Sequence, residues 1–261
     1  MTDAHIPRFS VGGLGISELT FDEALALFLE APARGDRLRA HFCTAHTVVE
    51  AHDTPDLRRA LGAAELTVAD GMPLVWAGRL RGRHVGRVCG PDLMLALLDR
   101  SRVHGGRHYF YGGAPGVAER IADRMCERFP GLQIVGTEAP PFRVLTPEEQ
   151  QEAAARINAS GADYVWVGLG TPKQDYWLAE NRDRLQASVL FAVGAAFDFL
   201  SGGKPRAPRL MQRTGMEWLF RLVTEPRRLG RRYTVTNARF LWLVGTEILR
   251  RPLRARGSRG S

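Results

Sequence analysis

Cysteine is scarce: Cys43, Cys89 and Cys126 are the only three in 261 residues. The count is odd and there is no C-x-x-C, which argues against a disulfide framework or a zinc site and for buried thiols in a reducing cytosol. No D-x-D occurs, and no His/Cys spacing suits a metal. If a diphosphate is handled, Arg, Lys and helix ends must meet its charge, with no metal or other cofactor. Long apolar runs are also missing. The nearest, Phe240–Leu249, is interrupted by Thr246 and Glu247, well short of a bilayer span. Met1–Ser10 lacks a basic region followed by an apolar one, so no signal peptide is expected. The first unit holds no G-x-G-x-x-G with a downstream acid, which counts against a dehydrogenase.

What the chain does have is basic charge, 36 Lys+Arg against 28 Asp+Glu. It is unevenly placed. Residues 204–261 carry 15 basic residues and three acids, Glu217, Glu225 and Glu247, while residues 1–203 carry 21 and 25. A mildly acidic body is followed by a strongly basic segment, and the segment is the part expected to meet an anion. The chain therefore divides into a body over 1–203, a basic helical appendage over 204–251 and a loose basic tail over 252–261.

Within the body, apolar runs alternate with segments of helical period. Candidate strands are Leu38–Cys43, Leu66–Ala69, His108–Tyr111, Leu132–Val135, Tyr164–Val167 and Val189–Val193. Thr20 with Glu23, Thr54 before Pro55, and Thr146-Pro147 with Glu149 mark helix starts. Val117, Ile121, Met125 and Phe129 recur every four residues, a stripe buried against a sheet. This alternation predicts an α/β fold with Rossmann-like layers and a mostly parallel sheet. Ligands in such folds sit at the carboxyl ends of the strands.

Several motifs fall there. Gly112-Gly113-Ala-Pro-Gly116 is either a phosphate or sugar contact at a helix mouth, or a tight packing turn. In Gly168-Leu-Gly170-Thr171-Pro-Lys173-Gln174, Gln174 either completes a capping box with Thr171 or faces a polar ligand together with Lys173. Asp70, before Gly71, is either a general base or the N-cap of a helix over Met72–Leu80. Arg87 either clamps a diphosphate or pairs with Asp92 at a helix start. Asp198 either bonds ribose hydroxyls or pairs with Lys204 or Arg206.

In the basic segment, arginines interleave with Trp218, Phe220, Leu222, Tyr233 and the run Phe240–Val244. That mixture suits the headgroup layer of an anionic membrane. It equally suits a nucleic-acid backbone, so a nucleic-acid-binding or RNA-modifying Rossmann-like protein is the alternative, although no RNA-binding motif is present.

Together, and in their order, these segments resemble the WecG/TagA/CpsF glycosyltransferase family over about residues 10–233. The carrying motifs are Val68-Ala-Asp70-Gly71, Arg87-Val-Cys-Gly90-Pro-Asp92, Gly112-Gly113-Ala-Pro-Gly116, Val167-Gly-Leu-Gly170-Thr-Pro-Lys173-Gln174, Ala195-Ala-Phe-Asp198 and Arg206-Ala-Pro. They end with Gly215-Met-Glu217-Trp218-Leu-Phe-Arg221 and Glu225-Pro-Arg-Arg228. The resemblance implies transfer of a sugar, N-acetylmannosamine in the best-known members, from a UDP-sugar to a polyprenyl-diphosphate-linked sugar for surface polymers. The reaction would be inverting and metal-free, at the cytoplasmic face of the membrane, with no nucleic-acid partner; homo-oligomerisation stays open. By motif, Asp70 is the base, Arg87 and Gln174 face the donor sugar and diphosphate, and Asp198 faces uridine. Gly112, Gly113, Gly170 and Lys173 belong to the donor loops. Arg221, Arg228 and Arg231 match arginines of an appendage that closes over the site and touches the membrane. The family usually has Asn near the end of the first long strand. Thr44 is placed at that position, with His46 two residues on.

Overall fold

The computed structural model describes residues 6–203, 207–208, 211, 217–224 and 226–250. The side chains of 217–218, 221, 224, 226–234 and 248–250 lie outside that description.

The chain opens with a hairpin, β1 (Arg8–Val11) and β2 (Leu14–Ser17), followed by α1 (Phe21–Arg34) and β3 (Leu38–Cys43). Next come α2 (Ala45–Asp53), α3 (Pro55–Gly62), β4 (Leu66–Ala69), α4 (Met72–Arg79) and α5 (Gly90–Ser101). β5 (Arg107–Gly112), α6 (Val117–Arg128), β6 (Gln133–Glu138), α7 (Pro147–Ala159) and β7 (Tyr164–Gly168) follow. The body closes with α8 (Lys173–Asn181), β8 (Val189–Ala192) and α9 (Ala196–Leu200). Two further helices, α10 (Glu217–Thr224) and α11 (Pro226–Arg250), carry the basic segment.

β3 to β8 form one parallel sheet in the order β4-β3-β8-β7-β5-β6. All six predicted strands are present, and the α/β reading holds. Two of the predicted helix starts carry complete capping boxes, Thr20 with Glu23 and Thr146 with Glu149. On one face, α1, α5, α6 and α9 bury Phe28, Met94, Ile121 and Phe197 against Phe110, Trp166 and Phe191. On the other, α2, α3, α4 and the hairpin share one cluster, and α7 and α8 share another around Val165 and Leu190. Ile121 and Met125 of the four-residue stripe are buried as expected.

The hairpin is the element that sequence reading missed. Its strands have only four residues each and turn on Gly12 and Gly13, both at positive φ. Phe9, Val11, Leu14 and Ile16 are all buried, and a Gly-Gly turn between such pairs is the signal that could have found it. The hairpin covers the outer edge of β4. Ser17 Oγ accepts from Thr67 N at 3.1 Å, and Thr67 Oγ1 donates to the carbonyl of Gly15. Val88 N donates to Ala69 O at 2.8 Å further along that edge. These bonds occupy groups that would otherwise be open to strand pairing.

Cysteine placement corrects one expectation. Cys43 and Cys89 are buried, but Cys126 is exposed on α6.

Helix α11 lies against α2 and the hairpin. Its Phe240 and Leu243 are buried in the same cluster as Val48 and Val11. Arg239 grips Asp53 with two bonds of 2.5 and 2.6 Å, and Glu247 accepts from Ser10 Oγ, Gly13 N and Arg81. No helix among the described residues is long and apolar enough to cross a membrane.

Candidate active site

The parallel register brings the strand ends level. Cys43 pairs with Ala69, Val167 with Ala192, and Gly112 with Gly168. The loops leaving them form a row: Asp70 after β4, Thr44 after β3, Gly194 after β8, Gly170–Gln174 after β7, and Gly113 after β5. With about 4.8 Å between neighbouring strands, the row from Asp70 to Gly113 spans about 19 Å, room for an elongated ligand. Helices α6 and α8, which follow the neighbouring strands β5 and β7, go to opposite faces of the sheet. Such a switch leaves a crevice where ligands bind in open α/β sheets.

At one end of the row, Asp70 N donates to Cys43 O at 2.9 Å, and a Cβ on Gly71 would sit 3.8 Å from Thr44 Cα. The β3 and β4 loops therefore touch. The N-cap of α4 is Gly71, not Asp70, so Asp70 stands one residue before the cap and is half-buried. Arg87 Nε donates to the main-chain carbonyl of Asp70 at 2.8 Å, and its terminal nitrogen lies 3.4 Å from Cys89 Sγ. The loop before α5 thus folds back onto the loop bearing Asp70. That helix starts at Gly90, two residues earlier than the sequence suggests.

Thr44 serves as an N-cap. Its Oγ1 accepts from Thr47 N, and Thr47 Oγ1 accepts from Thr44 N at 3.1 Å. His46 lies on α2 with Nε2 3.5 Å from Glu50, one helical turn away.

In the middle of the row, the capping role read for Gln174 is not found. Pro172 is the N-cap of α8, without a side-chain cap bond, and the Thr171–Pro172 peptide is cis. Gln174 instead ties two loops together. Its Oε1 accepts from Gly170 N and its Nε2 donates to Ala192 O, both at 3.1 Å, and the side chain is 4% exposed. These two bonds use one amide hydrogen and one lone pair of the side chain. The physical reason for the correction is the turn: α8 begins too late for Thr171 to cap it.

Beneath this loop, His41 Nδ1 and Asp175 Oδ1 are 2.7 Å apart and both residues are buried. This pair joins β3 to α8, and sequence reading did not find it because its members are 134 residues apart. Burial, with Asp175 and Asp70 nearby, pushes the thiol of Cys43 well up, so that cysteine is neutral.

At the far end, the glycines have a packing role. A Cβ on Gly112 would lie 2.7 Å from the backbone of Gly168, and one on Gly168 would lie 2.5 Å from the ring of Phe197. One on Gly113 would strike Val117. Gly170 differs, with positive φ and open space around it. Exposed Lys173 places Nζ 4.3 Å from the ring centre of Phe142. Phe142, 97% exposed after β6, is a residue of this rim that the sequence did not single out. A bulky aromatic in a Pro-rich loop was the available signal. Asp198 is exposed in the first turn of α9. Arg221 lies on α10 and Arg228 and Arg231 on α11; their side chains fall outside the described residues, as do Lys204 and Arg206 altogether.

This is the ligand end of a doubly wound α/β protein, with an acid, an arginine and glycine loops gathered on one edge. The chain belongs to the glycosyl transferase WecG/TagA/CpsF family, whose family model matches residues 9–254. The match runs through α10 and α11 as well as the sheet.

Proposed function

We propose that this glycosyltransferase moves a sugar from a UDP-sugar, UDP-N-acetylmannosamine or a related donor, to a polyprenyl-diphosphate-linked sugar at the cytoplasmic membrane face. The body over 1–203 does the chemistry, and the basic segment after it meets the membrane and closes on the diphosphate. The observation that carries this reading is the placement of Asp70 at the end of the row of loops, with Arg87 bonded to its carbonyl.

The reaction is a single inverting displacement. The acceptor hydroxyl oxygen attacks the anomeric carbon of the donor. As that bond forms, the bond from the anomeric carbon to the β-phosphate oxygen breaks, and UDP leaves with the electron pair. Asp70 takes the hydroxyl proton. Charge developing on UDP is met by Arg87, Lys173 and an arginine among Arg221, Arg228 and Arg231, and the Gly112–Gly113 and Gly170 loops let the diphosphate approach the backbone. Asp198 bonds the uridine, and Thr44 and Gln174 line the donor sugar. Dense arginine and the absence of D-x-D support a route without a metal.

The test is a donor screen. UDP-sugars are offered with a short polyprenyl-diphosphate-sugar, with and without EDTA, and UDP release and the lipid product are followed. One donor turned over at the same rate in EDTA is the expected result. No product from any donor, or activity that EDTA abolishes, would reject the reading or its metal-free route respectively.

A further inference from the structure

We infer that the outer end of α4, built on Trp76, Arg79 and Leu80, is a lipid-contact surface on the catalytic body itself, seated on an anionic bilayer. Helix α4 has a fixed position. Leu74, Val75, Ala77 and Gly78 are buried, and Gly78 is packed so closely that a Cβ there would lie 2.5 Å from Val85 and 2.8 Å from Phe9. The opposite face is apolar as well. Trp76 is 50% exposed and Leu80 80% exposed, one turn apart, and with Arg79 they line a shallow concavity. A large aromatic and a leucine side by side on a rigid helix mark a surface that meets something apolar.

The charges around this patch identify the partner. Arg81 pairs with Glu247, Arg83 with Glu18 and His84 with Glu23, which uses the nearby acids. Arg79 donates Nε to Val85 O at 3.2 Å, and its terminal nitrogens have no partner among the described residues. Glu247 joins the last turns of α11 to this corner, and Arg250 follows about 5 Å further along the helix axis. After Glu247 the sequence continues with Arg250, Arg251, Arg254, Arg256 and Arg259 and no acid.

An arginine tail has no charge reason to lie on a patch carrying Arg79. A two-fold contact centred on the patch would set Arg79 against its own copy. A bilayer with anionic headgroups satisfies everything present: phosphates for the arginines, the interfacial layer for Trp76, and acyl chains for Leu80. Trp76 stands about 6 Å along α4 from Met72, the residue that follows Asp70-Gly71, so a lipid-linked hydroxyl would be delivered close to the proposed base. That last link rests on the proposed glycosyl transfer; the surface itself does not.

The experiment uses the full chain and vesicles of phosphatidylcholine with or without phosphatidylglycerol. Trp76→Ser with Leu80→Ser is expected to lower partition onto the anionic vesicles about tenfold, with circular dichroism unchanged. Trp76→Phe keeps the apolar bulk. It should partition nearly as the parent does and lose part of the fluorescence quenching by brominated lipid. Partition of the double variant at the parent level, or Trp76→Phe leaving quenching unchanged, would overturn the proposal. So would a double variant whose only change is from dimer to monomer in sedimentation, because a second copy would then be the occupant. Because binding is read without turnover, lost partition in a chain that transfers no sugar would reject the enzymatic reading and keep this surface.

Discussion

Arg87 Nε donates a 2.8 Å hydrogen bond to the main-chain carbonyl of Asp70. An arginine expected to clamp a diphosphate thus also sets the loop that carries the proposed base. In the proposed reaction this one side chain would link the two ends of the chemistry, where the proton is taken and where the leaving group's charge is met.

Asp70→Asn keeps the shape of that loop and removes the base. Turnover should fall by roughly 10²- to 10⁴-fold, while titration with UDP gives the parent affinity. An Asn variant with near-parent kcat would exclude Asp70 from proton transfer.

Arg87→Lys keeps a positive charge but has no second nitrogen to hold the Asp70 carbonyl. Thermal unfolding should show a loss of about 1 kcal/mol, and kcat should fall at least about tenfold because the base is misplaced. If only KM for the donor rises, Arg87 acts on the diphosphate alone.

Gly168→Ala would press a methyl group onto the ring of Phe197, 2.5 Å away. Urea denaturation should show about 1–3 kcal/mol of destabilisation. Adding Phe197→Leu should recover part of it, since the two changes act on one contact. Strict additivity would show that the clash is relieved elsewhere.

His108 gives the body a pH dependence. It is fully buried, with Nδ1 accepting from Trp166 Nε1 at 3.0 Å and Nε2 2.8 Å from Ser101 Oγ. Burial pushes its pKa down to about 3 from an ordinary 6.5. The unfolded chain then binds a proton that the folded chain refuses between those values. Its contribution is complete above pH 6.5 and is lost as pH falls toward 3, at about 1.4 kcal/mol per pH unit. Denaturation across that range should show this slope, and His108→Gln should remove it whatever its effect at neutral pH.

The docking of α11 should be acid-sensitive. The bonds from Arg239 hold the carboxyl of Asp53 below its ordinary range. A depressed acid contributes above its unfolded pKa and loses that contribution as pH falls through its folded value. Limited proteolysis of α11 should therefore accelerate below about pH 4, and Asp53→Asn should show the faster cleavage already at neutral pH. Equal cleavage of parent and variant at pH 7 would show that Phe240 and Leu243 hold the helix unaided.

The six parallel strands were legible because each is a short apolar run between readable helix starts, such as Thr20 with Glu23 and Thr146 with Glu149. The hairpin was harder, since four residues hold too little period and its apolar faces read equally as loop. At the site, the residue types at the strand ends were legible and their tasks were not. Nothing local distinguishes Gln174 as a capping group from Gln174 as a bridge between Gly170 and Ala192, because the bridge needs β7 and β8 to be neighbours. The His41–Asp175 pair was out of reach for the same reason.

By itself, the sequence determined the α/β class, the division between an acidic body and a basic end, and the set of residues at the carboxyl ends of the strands. Those properties come from local period, capping and charge, which act over a few residues. Only the tertiary structure decided that Arg87 turns back onto Asp70, that Gly112 and Gly168 must lack side chains to pass each other and Phe197, and that α11 seals the hairpin through Phe240 and Leu243. Those relations follow from the order of strands in the sheet and from close packing between segments far apart in the chain, which local patterns do not encode.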